Sequence, residues 1–512
     1  MTTLGIDLDN TLACYDGLFH AEAVARGLVP ANLRRDKESV RDYLRAQGRE
    51  DDWTELQGHV YGPGMDRAKL FPGAREFIER AKERGWRVVV ISHRTAKPFR
   101  GPAHDLHQFA RRWLEREKLG VEVFLEVTKE AKLARIAEQR CGDFIDDLPE
   151  FLSEPGFPAG VRRWVFGEGE AGPFPRLSSW PAASEQFFPS IPEGAEALLA
   201  RAGVKGASLR LLPGAANNRV FLADDGKSKA VLKQYYRGKD DSRDRLGAEW
   251  AFSRFAWDNK ARALPEPLEA DAKRGLAVYG WVEGRKPVAA DLTEDALKSA
   301  LTFLRKLSLY RAKADGLPLA SEACLSLSKH LELVERRIGR LEGLEDKDAR
   351  AFGRELGAAW TEVKRRALAR AKEEGLDPAR ELLPAERLIS PSDFGFHNAL
   401  VAKSGLVFLD FEYAGWDDPA KMVCDFFCQQ AVPAPENWRE RFSKETAKFV
   451  SRPKEALARM SLLRPVYELK WCCILLNEFL PSAKARRDFA RAETVKEVQL
   501  AKARKRLELA AL

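Results

Sequence analysis

Gly5-Ile-Asp7-Leu-Asp9-Asn-Thr11 places two aspartates two residues apart directly after a short apolar run, with a hydroxyl two positions further on. One carboxylate of such a pair can act as a nucleophile while the other carries a proton. A bare pair of this kind also serves as turn and cap, so its company matters. Ser92 ends the run Val88-Val-Val-Ile91, Lys132 precedes Leu133 and Ile136 at the start of a helical pattern, and Asp146-Asp147 closes Asp143-Phe-Ile145. A second set lies far downstream. Asp393-Phe-Gly-Phe-His397-Asn398 is followed by Asp410, twelve residues after Asn398. The order D-x4-N then D supplies a base for a hydroxyl and two metal-binding oxygens, the parts that phosphoryl transfer requires. Upstream, Gly214, Asn217 and Asn218 sit in a turn between two strand-like runs; Lys233 lies in Ala230-Val-Leu-Lys-Gln-Tyr235 and Glu249 in a following helical stretch.

Three readings compete with these. Lys129 rivals Lys132, which is preferred for its place before Leu133 and Ile136. Gly142-Asp143 offers an alternative with Asp147, rejected because the preceding strand would have to be the polar Ala137–Cys141. His93, His104 and His107 follow Ser92 closely, but their spacing fits no common zinc pattern and they are read as loop residues or substrate contacts.

The elements that must position these groups fall into two parts. Up to about residue 188, the strand-like runs Leu4–Asp7, Arg87–Ser92, Val121–Val127, Asp143–Ile145 and Arg162–Phe166 alternate with helical patterns. That alternation predicts a Rossmann-like parallel sheet with its site at the carboxyl ends of the strands. A polar, helix-patterned insertion of about residues 13–73 reads as a small cap. Pro-, Gly- and Ser-rich stretches then mark a boundary near residue 190. Beyond it, Ser208–Leu212, Val220–Ala223 and Lys229–Tyr235 predict an antiparallel meander. Long helical patterns follow from Leu292, broken by a strand-like pair near residues 399–410. The expected second domain, 189–512, is a two-lobed α+β protein-kinase-like fold, with lobes of about 200–284 and 285–512.

The first set of motifs resembles the haloacid dehalogenase superfamily of phosphohydrolases over about 190 residues. The resemblance implies Asp7 as nucleophile, Asp9 as acid then base, and Ser92 and Lys132 as phosphoryl ligands. It further implies Mg²⁺ on the Asp7 and Asp146 carboxylates and the Asp9 carbonyl. The second set resembles the aminoglycoside phosphotransferase and choline kinase family over about 320 residues, closely so at Asp410-Phe-Glu412-Tyr-Ala-Gly-Trp-Asp-Asp-Pro419. This implies Asp393 as base, Asn398 and Asp410 as Mg²⁺ ligands, and Lys233, oriented by Glu249, on the ATP phosphates. Gly214 and Asn218 would cover those phosphates, and Tyr279–Glu283 would read the purine. The sequence departs from that family at Pro391, where a histidine is usual, and at Glu412, where an aspartate is often found.

Composition narrows the partners. Lys and Arg number 85 against 77 Asp and Glu, a net charge of +8 over 512 residues, which permits an anionic substrate without arguing for nucleic acid. Runs such as Lys502–Arg506 read as solvated helix faces. No run of about 18 apolar residues suggests a membrane span, no leader is evident at Met1, and seven cysteines form no metal or disulfide pattern. The expectation is a cytoplasmic bifunctional enzyme acting on a small phosphate ester and a small-molecule hydroxyl. The alternatives are an enzyme that heals nucleic-acid ends and a regulatory nucleotide-binding protein with one inactive site.

Overall fold

The computed structural model describes residues 2–167, 172–212, 217–238, 243–480 and 496–510, in two units, Met1–Ser190 and Ile191–Leu512. In the first, β1 (Thr3–Ile6) is followed by a two-stranded stalk, β2 (Ala13–Cys14) against β3 (Lys69–Leu70). Then come β4 (Arg87–His93), β5 (Glu122–Glu126), β6 (Cys141–Asp146), β7 (Arg162–Phe166) and β8 (Arg176–Leu177). Apart from the stalk, these form a six-stranded sheet of order β5-β4-β1-β6-β7-β8, parallel throughout.

Alternation along the strands explains the sheet's two covered faces. Leu4, Ile6, Val88 and Val90 enter one core; Val89, Ile91, Phe144 and Val165 enter another on the opposite side. Gly5 pairs with Phe144, and a Cβ there would lie 2.5 Å from the phenyl ring, so the residue must be glycine. The stalk closes off an insertion bearing the helices Leu18–Ala25, Lys37–Ala46 and Glu50–Val60. Phe19, Trp53 and Tyr61 pack together within it, with ring centroids 5.3 and 5.6 Å from Phe19.

The second unit opens with helix Ala195–Arg201, then β9 (Ser208–Leu211), β10 (Arg219–Asp224), β11 (Lys229–Gln234), β12 (Pro267–Asp271) and β13 (Leu276–Gly280). The expected three-stranded meander is thus part of a five-stranded antiparallel sheet, β12-β13-β11-β10-β9. Ala230 and Leu232 face a core completed by Leu198 and Leu199, which sends Lys233 and Tyr235 to the other face, toward helix Arg245–Asp258.

Next come β14 (Gly284–Arg285), β15 (Leu388–Ser390), β16 (Ala399–Ala402), β17 (Gly405–Phe408) and β18 (Gly415–Asp417). They make a three-stranded sheet, β14-β16-β17, and a β15-β18 pair, set among helices such as Glu294–Leu309, Lys347–Glu373 and Pro453–Leu475. One apolar core runs through these helices, with Cys424, Cys428, Cys472 and Cys473 buried in it. No described helix is long and apolar enough to cross a membrane.

Candidate active sites

The strand order of the first unit puts β1 between β4 and β6, so the carboxyl ends of these three strands meet where the crossovers diverge. Asp7 leaves β1 with its amide on the Ile145 carbonyl at 2.9 Å, Ser92 lies near the end of β4, and Asp146 ends β6. Lys132, in the first turn of helix Lys129–Glu138, reaches between them. Its ammonium lies 2.6 Å from Asp7 Oδ1 and 2.6 Å from Asp146 Oδ2, all three groups being buried. Lys129 also lines the cleft but pairs with Glu154 at 2.9 Å on the surface, and no contact joins it to Asp7 or Asp146 among the described residues. Asp143, the rejected alternative, is held by Arg162 at 2.7 and 2.6 Å and by the Trp164 indole at 2.9 Å.

Burial lifts the Asp7 carboxyl to about 7 against the pull of Lys132, and burial with Asp146 and Asp7 nearby pushes Asp147 well above the carboxylate range. Ser92 is 1% exposed, and its hydroxyl has no partner among the described residues. A buried, unsatisfied hydroxyl and an ammonium lining one cleft are donors that suit an anion. These groups line a cleft of about 330 Å³, to which the insertion contributes Lys37, Gln57 and Tyr61.

Sequence reasoning missed how Asp9 is held. Tyr15 donates its hydroxyl to Asp9 Oδ1 at 2.6 Å, and the buried Arg94 guanidinium pairs with the same oxygen. Arg94 is itself fixed by the Tyr61 carbonyl and Tyr15 hydroxyl, each at 3.0 Å, and His107 contacts its carbonyl at 2.7 Å. His93 sits 3.2 Å from the Val127 carbonyl, and His104 packs edge-on against Phe109.

In the second unit, the β16–β17 hairpin does the positioning. Ala399 pairs with Phe408, so the flanking residues Asn398 and Leu409 meet through a 2.8 Å backbone bond, which brings Asp410 alongside. Asn398 donates to the Asp393 carbonyl and carboxylate, both at 3.1 Å. His397 contacts Asp393 Oδ1 at 3.3 Å, and Lys286 donates to the His397 carbonyl at 2.9 Å. Asp393 and Asp410 adopt φ of 27° and 65°, a region that side chains other than glycine seldom enter and that functional loops often use. Pro391 occupies a loop secured by the β15–β18 pair and by the Ser392 amide on Ser390 Oγ at 3.0 Å. A Cβ on Gly395 would lie 2.7 Å from the His397 ring, which ties that glycine to the loop's shape.

Lys233 lies 2.6 Å from both Glu249 and Asp410. Burial opposes its charge, but the two carboxylates hold it well above the lysine range. Against burial, Lys233 in turn keeps Asp410 below the carboxylate range. Glu249 also takes the Tyr235 hydroxyl at 2.7 Å and the Phe411 amide at 3.3 Å. The Tyr279 hydroxyl meets that of Tyr235 at 2.9 Å. Gly214 lies outside the described residues. Asn218 is buried with its side chain already engaged, its oxygen by the Tyr236 amide at 3.1 Å and its nitrogen by Glu412.

Among the described residues no three His, Cys, Asp or Glu side chains form a ready metal cage. Mg²⁺ does not need one, because one or two carboxylates and the substrate's phosphates complete its shell. Asp7 and Asp146 lie close enough to share one ammonium, and each carboxylate keeps a second oxygen, the hard donor type that Mg²⁺ takes. Lys502–Arg506 is not simply a solvated face, since Arg506 is buried against Glu468 while Ala503 enters the core.

A model of the phosphotransferase enzyme family matches residues 208–463, half of the chain. Several solved structures are similar to part of this chain. A choline/ethanolamine kinase family protein from Mesorhizobium loti is 20% identical, covers 62% of this chain and 94% of its own, and gives a TM-score of 0.40. Choline kinase LicA from Streptococcus pneumoniae is 15% identical, with coverages of 59% and 93% and a TM-score of 0.38. Aminoglycoside phosphotransferase APH(4)-Ia is 16% identical, with coverages of 59% and 92% and a TM-score of 0.37. No curated protein matches the chain.

Proposed function

The chain belongs to the phosphotransferase enzyme family, and we propose that it carries two active sites. The second unit passes the terminal phosphoryl group of ATP to a small-molecule hydroxyl; the first hydrolyses a phosphate monoester through an aspartyl-phosphate, as haloacid dehalogenase-type enzymes do.

In the second unit Asp393 takes the proton of the acceptor hydroxyl as its oxygen attacks the terminal phosphorus and ADP leaves. Asn398 and His397 hold the Asp393 carboxylate, and Glu249 fixes Lys233 where it can meet the α and β phosphates. Asn218, just ahead of β10, would lie near those phosphates. In the first unit Asp7 attacks phosphorus, and the bond to the leaving alcohol oxygen breaks as Asp9 protonates it. Water then attacks the aspartyl-phosphate, Asp9 takes its proton, and phosphate leaves with Asp7 restored. Tyr15 and Arg94 both grip Oδ1 of Asp9, so Oδ2 is the atom that exchanges the proton. Ser92 and Lys132 bind the phosphoryl oxygens. Mg²⁺, held by Asp7, Asp146 and the Asp9 carbonyl in one unit and by Asn398 and Asp410 in the other, would offset phosphate charge in both.

The observation that carries the hydrolytic half is the Lys132 ammonium shared by Asp7 and Asp146, in a cleft also lined by a Ser92 hydroxyl that has no partner among the described residues. Two opposed activities in one chain most simply serve consecutive steps that relocate phosphate on one metabolite, such as a sugar. The burial of Arg506 removes part of the basic run that a nucleic-acid substrate would need. The test is a panel of phosphate monoesters screened for phosphate release, with each dephosphorylated product then offered as acceptor for ATP. Release with no ester, or ATP consumption with no acceptor, would count against the corresponding half.

A further inference from the structure

We propose that Glu412 is a positioning residue that ties Asn217, Asn218 and Arg245 of the smaller lobe to the segment bearing Asp410, and not a metal ligand. The proposal rests on the reading of the second unit as an ATP-dependent transferase. Glu412 lies two residues after Asp410, and its side chain is wholly buried. Its Oε1 takes Arg245 Nη1 at 2.5 Å and the Asn217 amide at 2.8 Å, and its Oε2 takes the Asn218 amide. The neighbouring Tyr413 hydroxyl repeats the pattern, accepting from Arg245 at 2.5 Å and from Asn217 at 3.1 Å.

Three donors from two stretches of the smaller lobe therefore converge on one carboxylate of the larger. Asn217 and Asn218 directly precede β10, and Arg245 opens the helix that carries Glu249. Glu412 thus holds the start of β10 and that helix against the segment that presents Asp410 to Lys233. A second cation at Glu412 would face the buried Arg245 guanidinium, and displacing Arg245 would leave its charge without this carboxylate in a dry site. The carboxylate here serves the arginine and the two asparagines.

The two roles separate experimentally. Binding of AMP-PNP with Mg²⁺ to the full chain is measured by calorimetry for wild type, Glu412→Gln, Arg245→Gln and the double variant. Mg²⁺ is also titrated in the ATP-consumption assay at saturating nucleotide. A lost charge-assisted contact predicts nucleotide affinity about tenfold weaker in each single variant. The double variant should be no weaker than the singles, and the Mg²⁺ half-saturation should stay within about twofold. Asn217→Ala, at a partly exposed position, should weaken AMP-PNP about threefold even if changes at the buried pair unfold the lobe. Unchanged nucleotide affinity with a raised Mg²⁺ requirement in Glu412→Gln would overturn the proposal, as would losses that multiply in the double variant. If wild type binds AMP-PNP and Asn217→Ala binds equally well, this proposal alone falls. If wild type does not bind it, the transferase reading falls first.

Discussion

The ammonium of Lys132 lies 2.6 Å from a carboxylate oxygen of Asp7, 125 residues earlier in the chain. The pair is buried, and Lys132 also reaches Asp146 at the same distance. Replacing it with an apolar residue strands two carboxylates away from water. Lys132→Met should lower the stability of the first unit by about 3–5 kcal/mol and abolish phosphate release. Lys129→Met should leave both near wild type, because Lys129 pairs with Glu154 on the surface. Urea midpoints and a phosphate-release assay check this; the reverse pattern would reassign the phosphate lysine.

A pH-dependent stability is built into the helical lobe. His330 is fully buried, with Nδ1 on the Tyr467 hydroxyl at 2.7 Å and Nε2 facing Asp418 at 3.3 Å. Burial opposes its charge, but Cys324 and Asp418 lift it from 6.5 to about 9. A pKa raised on folding contributes stability that is complete below 6.5 and lost as pH rises through about 9. The loss should be on the order of 3 kcal/mol. Thermal unfolding followed from pH 6 to 9.5 should show a decline that His330→Gln flattens. An equally steep decline in the variant would remove His330 as the source.

Asp393→Ala should depress ATP-dependent turnover roughly 10²–10⁴-fold while sparing nucleotide affinity. Asp393 contacts Asn398 and His397, whereas Lys233 pairs with Asp410. Single-turnover rates and AMP-PNP affinity, measured side by side, separate these effects. Lost binding with saturated turnover intact would assign Asp393 another role.

Lys37 reaches from the insertion into the cleft that Asp7 and Asp147 also line, its ammonium 5.7 Å from the centre of the Tyr61 ring. If that cleft hydrolyses an ester as proposed, Lys37 is a cation available to the substrate's own part. Lys37→Ala should lower kcat/KM for the chain's own ester about tenfold, consistent with loss of one charged hydrogen bond. p-Nitrophenyl phosphate should be far less affected. Equal losses on both esters would place substrate selection outside the insertion.

What the sequence made legible follows from how locally each feature is encoded. Val88-Val-Val-Ile91 and Trp164-Val-Phe166 are apolar runs whose residues fill cores on both faces of a parallel sheet, so their strands could be read directly. β12 and β13 were harder. Pro267–Asp271 lacks a clean alternation, and Leu276–Gly280 runs into the stretch Tyr279–Glu283 assigned to the purine, so its strand shows only in its pairing with β11 and β12. The motif aspartates announce themselves by spacing, but their partners do not. Arg94 and Tyr15 meet at Asp9 from 79 residues apart, and Arg245 meets Glu412 across 167. A tyrosine or arginine carries no local mark of such a contact. Lys132 stood out over Lys129 because it precedes an apolar helix face, a signal that periodicity supplies.

The account stands most directly on the independence of the two sites, and one crossed assay measures it. Asp7→Asn and Asp410→Asn are each tested for phosphate release from the best ester and for ATP consumption with the best acceptor. The account predicts that Asp7→Asn loses phosphate release and keeps ATP consumption, and that Asp410→Asn does the opposite. Loss of both activities in either folded variant, or phosphate release that survives Asp7→Asn, would contradict it.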